Sequence, residues 1–249
     1  MSFRILRKRV SSVALSKGWF RYRLIYWSGV WRRLRGDRWG SSRKWSEGNE
    51  DSVLLEKGRT FLEDGFYVDV GANLPMKRSN SYRLYCAGMN GLCIEPNLEL
   101  ASLYERLRPR DQVVNLAVGP EAGGVELQRF NFHVYSTCLP EEGKKRLIEN
   151  NPKNLTRLLR TALVGMLPLR TILESSKLAE DGRFFLLKVD TEGFDLKVLQ
   201  SNDWVKYRPY LVLTEATGEE EEVASFLIEQ GYELSKKFGV NQLFQRVEK

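Results

Sequence analysis

The sequence predicts an α/β domain built on a mostly parallel sheet that closes with an antiparallel hairpin. Three observations predict it. Short apolar runs suited to strands covered on both faces (Tyr67–Val70, Gly91–Ile94, Phe184–Val189 and Tyr210–Thr214) alternate with amphipathic helical stretches. Each of these strands leads into a carboxylate or a Gly turn. Near the C-terminus, Tyr232–Lys236 and Gln242–Val247 are joined through Gly239 and Asn241, as in an antiparallel pair. At 249 residues the chain fits one such domain plus an appendage and is long enough to bury a substantial core.

The appendage comes first. Residues 1–45 hold thirteen Lys and Arg against the single Asp37, a local charge of +12, which leaves −5 for the rest. The pI near 9.3 therefore belongs to an arm, and the body behind it is mildly acidic. That asymmetry argues against a nucleic-acid surface spread over the whole protein. Trp19, Phe20, Tyr22, Tyr26, Trp27, Trp31, Trp39 and Trp45 interleave with the basic residues. Such a mixture suits an anionic lipid interface, an RNA held by phosphate contacts and stacking, or packing of the arm onto the body. Leu24–Trp31 is the longest uncharged aromatic run, far short of the roughly 20 residues that span a bilayer, and Ser11–Ser16 is too weakly apolar for a secretory signal. The odd set Cys86, Cys93 and Cys138 lacks metal-site spacing and is expected as reduced thiols, Cys86 and Cys93 in core packing. The expected location is cytoplasmic, with peripheral membrane or protein contact through residues 1–45. The domain division is 1–48 for arm and linker, with Gly36–Gly48 as the link, and 49–249 for the α/β domain.

Within the body, Asn49–Glu63 reads as a helix with Val53, Leu54 and Phe61 inward, and Asp64-Gly65 turns it into the first strand. Phe66–Asn73 is the stretch on which the site depends: a buried strand, then a Gly that permits close backbone approach. Leu74–Asn80 is a loop broken by Pro75. Ser79 or Asn80 then caps a helix bearing Tyr82, Tyr85 and Cys86, ended by Gly88. Gly91–Glu95 is a second strand with an acid at its end. Asn97 caps a helix with Leu100, Leu103, Tyr104 and Leu107 on one face, followed by a strand over Gln112–Val118. Val125–Phe130 suggests a strand, and Glu141–Leu163 a charged helical stretch interrupted near Pro152. Leu167–Thr171 leads into a short helix before Phe184–Asp190. Thr191-Glu192-Gly193 turns into a helix bearing Leu196 and Leu199. Glu219–Gln230 is a helix whose first turn is acidic, favourable at the positive end of its dipole.

Strand, Gly turn, helix, strand, acid is the order of a nucleotide-binding βαβ unit. In an open parallel sheet the carboxyl ends of the strands face the ligand crevice, which is where Asp69, Glu95, Asp190 and Glu215 lie. Glu95, 26 residues beyond Asp69, is placed to accept hydrogen bonds from ribose hydroxyls. A dinucleotide site needs G-x-G-x-x-G, yet Gly71-Ala-Asn-Leu-Pro-Met76 keeps only the first Gly, and no G-x-x-x-x-G-K-[ST] phosphate loop occurs. A ligand with adenosine but no pyrophosphate fits that pattern, and S-adenosylmethionine is the leading candidate.

Val68-Asp-Val-Gly-Ala-Asn73, Ile94-Glu-Pro-Asn97, Asn115-Leu-Ala-Val118, Ser136-Thr137, Leu187-Lys-Val-Asp-Thr-Glu-Gly193 with Val198-Leu199, and Arg208-Pro209 before Thr214-Glu215 together resemble the FkbM-type S-adenosylmethionine-dependent methyltransferases. The resemblance runs from about Glu50 to the C-terminus and leaves out the arm. It implies a Rossmann-like class I methyltransferase fold with a mostly parallel seven-stranded sheet, and O-methylation of a hydroxyl on a sugar, glycan or other small metabolite. Carried over, Asp69, Gly71 and Asn73 would line the methionine end of the cofactor, Glu95 would hold the ribose, and Asn115 with Ala117 would border the adenine, with Ala72 and Asn97 as further cofactor-binding residues. Asp190 and Glu192 would face the acceptor, one of them as the base that takes the hydroxyl proton. Many family members carry Gly where this chain has Pro75. His133, the only His, is a second candidate base, although a lone His on an alternating segment usually packs structurally. Asp190, Glu192 and Glu215 offer hard oxygen ligands, but their spacing does not demand a metal, and none is expected. The alternatives are an RNA methyltransferase that holds its substrate with the arm, or a non-catalytic docking module on a methyltransferase fold.

Overall fold

Val68 and Tyr67 point to opposite faces of the first strand, and each is completely buried in a different apolar cluster. Val68, Val70, Leu92, Leu187, Val189 and Val212 feed one cluster; Tyr67, Cys93, Leu186, Leu211 and Leu213 feed the other. With a side-chain period of two, both faces of this sheet must be covered by other elements. The computed structural model describes residues 45–46, 48–131, 136–141, 143 and 156–248. The expected roles of the arm up to residue 44 and of His133 lie outside them.

The main sheet has seven strands in the order β3-β2-β1-β7-β8-β10-β9. They are β1 (Gly65–Val70), β2 (Asn90–Ile94), β3 (Gln112–Val114), β7 (Arg183–Val189), β8 (Leu211–Thr214), β9 (Tyr232–Phe238) and β10 (Asn241–Arg246). The first five in the order are parallel, and β10 is antiparallel to both β8 and β9. The chain winds from β1 outward through β2 to β3, then returns to place β7 on the other side of β1. That reversal opens a crevice at the carboxyl end of β1, as expected of open parallel sheets.

A smaller sheet, β4-β6-β5, comprises β4 (Ala117–Val118), β5 (Gly123–Phe130) and β6 (Leu158–Leu167). Two expectations change here. Gln112–Val118 is two strands, because Asn115-Leu116 carries the chain from the main sheet to the small one. Leu158–Leu163, expected to be helical, pairs with β5 as an antiparallel strand. Leu158, Leu159 and Leu163 are apolar yet exposed, so the segment lacks the apolar-polar alternation that marks a half-buried strand.

The helices follow the expected order. They are α1 (Glu50–Lys57), α2 (Tyr82–Cys86), α3 (Leu98–Leu107), α4 (Leu169–Glu174), α5 (Lys177–Asp181), α6 (Asp195–Gln200) and α7 (Glu220–Glu229). The first is shorter than expected, stopping at Gly58 before a 3₁₀ turn over Arg59–Phe61; Leu54 is buried, while Val53 and Phe61 pack half-buried. Asn97 caps α3 by accepting from the Glu99 amide at 3.1 Å. Ser79, not the adjacent Ser81, receives the first amide of α2, from Tyr82 at 3.2 Å.

Candidate functional site

Gly71, Glu95, Asp190 and Glu215 follow β1, β2, β7 and β8 directly, so the register that pairs Val70 with Ile94 and Val189 brings them to one edge. The Gly71 and Ala72 amides both donate to the Ile94 carbonyl, at 3.0 and 3.1 Å. Gly71 has φ +70, and a Cβ there would overlap the Asp190 carbonyl oxygen, so the first turn and the Thr191-Glu192 turn touch through backbone alone. Asn73 and Glu192 each hold a left-handed backbone, φ 50 and 59, in the two turns that face one another.

Glu95 organises the second strand's end. Its Oε2 accepts from the Asn73 amide at 2.7 Å and its Oε1 from the Asn97 amide at 2.8 Å. Burial pushes this carboxyl up to about 7, against the pull of the two amides. A cleft opens beside it, lined by Gly71, Asn73, Glu95, Ala117, Asp190 and Glu192 among the predicted site residues. Leu116 and Val118, Val125 and Leu127 of β5, and Met166 of β6 supply its apolar walls. The Asn73 Oδ1 and Ser136 Oγ atoms, both on lining residues, are buried with no hydrogen-bond partner.

Four predicted residues sit elsewhere. Asn97 caps α3, and Asn115 Nδ2 donates to the carbonyls of Glu95 and Pro96 at 2.8 and 2.9 Å, tying β3 to the end of β2; neither lines the cleft. Asp69 and Ala72 line a second cavity, on the other side of Asn73, Asp190 and Glu192. Those three residues border both spaces.

Lys188 is the residue that motif reading missed. It faces Asp69 across the β1–β7 register, and its Nζ lies 3.3 Å from both Asp69 Oδ1 and Asp190 Oδ2 and donates to the Gly71 carbonyl at 3.2 Å. Burial disfavours its charge, but the carboxylates of Asp190 and Asp69 outweigh that and hold the ammonium above its ordinary range. The only signal in the sequence was position: residues 69 and 188 each stand next to the last residue of adjacent strands. Among the described residues no group of three or more His, Cys, Asp or Glu is placed to hold a metal ion, and no helix is long and apolar enough to cross a membrane.

Asp195 and Glu215 are also pushed up to about 7, by burial and then by the charge of Asp190. A carboxyl raised in the folded state binds more protons folded than unfolded between its ordinary value near 4 and about 7, so stability falls as pH rises through that window. The ligand-free protein is expected to melt at a lower temperature at pH 7.5 than at about pH 5. Glu95→Gln should flatten part of the slope. A flat or rising melting temperature would contradict the assignment.

Residues 69–234 match the methyltransferase FkbM domain. No curated protein matches the chain. Among solved structures it is similar to a methyltransferase from Geobacter sulfurreducens, with TM-score 0.45 and 10% identity over 95% of this chain and 93% of that one. It is also similar to precorrin-6y C5,15-methyltransferase from Geobacter metallireducens, with TM-score 0.40 and 10% identity over 84% of this chain and 93% of that one. The domain match takes in the whole of β2, β3, β7 and β8 and both turns that meet at Gly71 and Asp190, and the chain belongs to the FkbM methyltransferase family.

Proposed function

We propose that the protein transfers a methyl group from S-adenosylmethionine to a hydroxyl oxygen of a sugar, glycan or other small metabolite. One observation carries the reading: an apolar-walled cleft and a polar cavity meet at Asn73, Asp190 and Glu192. Transfer from one ligand to another needs two adjoining sites, and catalysis comes largely from holding the reactants in line.

The cleft fits the cofactor in its donor set. Its apolar walls suit the adenosine and methionine carbon, the amide-anchored Glu95 carboxylate retains lone pairs for ribose hydroxyls, and the unpartnered Asn73 Oδ1 and Ser136 Oγ would meet polar groups of the bound molecule. When bound, S-adenosylmethionine supplies an electrophilic methyl on a sulfonium.

The remaining chemistry belongs to the chain. Asp190 stands where the two spaces adjoin, with one oxygen 3.3 Å from the Lys188 ammonium, and its carboxylate is the first candidate to take the proton of an acceptor hydroxyl. Glu192, the second candidate base, is fixed by its turn, whose carbonyl accepts from Thr137 Oγ1 at 3.4 Å. Methyl transfer from labelled S-adenosylmethionine into a cell lysate is expected to fall on the order of 100-fold in Asp190→Asn and less in Glu192→Gln, with cofactor affinity retained in both. Equal activity of Asp190→Asn and wild type would remove Asp190 from the role.

A further inference from the structure

We infer a further binding site at the edge of the main sheet opposite the crevice, which takes a small molecule carrying a phosphate or carboxylate group on a flat apolar body. It uses none of the residues of the methyltransferase reading and stands apart from it. Arg183 opens β7, Arg208 lies just before β8, and Arg246 closes the antiparallel β10, so the three gather at the amino ends of the parallel strands. Together with Phe61, Phe184 and Tyr210 they line a cavity of about 420 Å³, a volume suited to a small molecule. Arg208 of the Arg208-Pro209 pair, which has no place in the crevice, finds one here.

The three cations are not equivalent. Arg183 is already paired: its Nε and Nη2 each lie 2.7 Å from an Asp64 oxygen, Nη2 also donates to the Thr60 carbonyl, and the guanidinium carbon sits 4.4 Å from the Phe61 ring centroid. It is a braced wall. Arg208 Nη2 donates to the Gln230 carbonyl at 3.1 Å, and Arg246 Nη1 to the Arg208 carbonyl at 3.2 Å, so backbone holds both in place. Burial pushes the Tyr232 phenol up and the charges of Arg208 and Arg246 both pull against it, which sets the two cations close to one group. Among the described residues neither forms an ion pair. Glu248, the one carboxylate among the lining residues described, is exposed and pairs with neither. Even with Asp64 and Glu248 set against the three arginines, the site stays cationic.

An oxyanion answers this arrangement. Two like charges brought together without a carboxylate repel one another, and a bound anion relieves that. Each guanidinium keeps most of its N–H donors free of carbonyls, and a planar fork already held by backbone suits bidentate contact with phosphate or carboxylate. The half-buried rings of Phe61, Phe184 and Tyr210 supply apolar surface beside the charge. They are held by ring contacts of their own, Phe61 with Tyr210 at 5.3 Å between centroids and Phe184 stacked on Phe66 at 4.7 Å.

The test is isothermal titration of the full-length protein at low salt with phenyl phosphate, benzoate and inorganic phosphate. One of the two ring-bearing anions is expected to bind on the order of tenfold more tightly than inorganic phosphate, and whichever binds better assigns the anionic group. Arg208→Gln/Arg246→Gln should weaken that binding on the order of tenfold. Where thermal melting shows the double variant unfolded, Arg246→Gln alone is used, with a loss of about threefold expected. Affinity unchanged in the folded variant would put the anion on the basic arm or elsewhere and overturn the proposal. Ring-bearing anions that bind no better than inorganic phosphate overturn it too, as does failure of both to bind at millimolar concentration.

Discussion

Gly71→Ala is expected to abolish cofactor binding, with affinity for S-adenosylhomocysteine falling by about 100-fold or more and stability by roughly 1–3 kcal/mol. Two independent constraints meet at this position. The backbone is left-handed at φ +70, and an added Cβ would collide with the Asp190 carbonyl oxygen, which belongs to main chain and has no flexible end to move aside. Relief requires the β1 turn and the Thr191-Glu192 turn to separate, and both border the cleft. Gly88→Ala is the control: its φ of +112 is also unfavourable, yet nothing lies within 4 Å of the new Cβ. It should lose some stability and bind cofactor normally. Isothermal titration of both variants decides the matter; normal binding by Gly71→Ala would mean that the two turns do not form the cleft.

Arg108→Met is expected to lower stability by roughly 3–5 kcal/mol, a large fraction of what holds a domain of this size together. Arg108 Nε sits 2.6 Å from Asp111 Oδ2 with both side chains fully buried. Its other nitrogens donate to Tyr67 OH at 2.6 Å and to Ser81 Oγ at 3.1 and 3.2 Å. The rings of Tyr104, Tyr85, Tyr67 and Tyr82 surround the guanidinium with centroids 5.2, 5.3, 5.5 and 5.9 Å away. Removing the cation leaves Asp111 buried without its counter-charge, and a buried pair broken on one side is more harmful than one removed whole. Arg108→Met/Asp111→Leu should therefore lose less than the sum of the single variants by urea denaturation. A single-variant loss below about 1 kcal/mol would place the pair among ordinary surface ion pairs.

The parts of the fold that could be read from the chain are those whose signal is local. The Tyr67–Val70, Gly91–Ile94 and Phe184–Val189 strands are apolar because both faces are buried, and the Gly turn after β1 needs a left-handed residue that only Gly supplies cheaply. Glu95 was legible because its place, one residue past β2, follows from strand length alone.

What was not legible depends on residues distant in sequence. Arg108 at the end of α3 looks like any cation at a helix C-terminus with Tyr104 and Asp111 as local neighbours, and only folding brings Tyr67, Tyr82 and Tyr85 around it. Lys188 looks like an interruption in an apolar strand until the β1–β7 register sets it against Asp69. Asn97 and Asn115 carried family positions, but their side chains serve a helix cap and a strand junction in this fold. The strand Leu158–Leu167 is hidden for the opposite reason, a local one: apolar Leu158, Leu159 and Leu163 stand at exposed positions and blur the alternation by which strands are recognised.

The central claim, that the cleft beside Gly71 and Glu95 holds S-adenosylmethionine, is tested most directly by isothermal titration of the unmodified protein with S-adenosylmethionine and S-adenosylhomocysteine. The account predicts that both bind with one-to-one stoichiometry in the micromolar range. Failure of both to bind at millimolar concentration would contradict it.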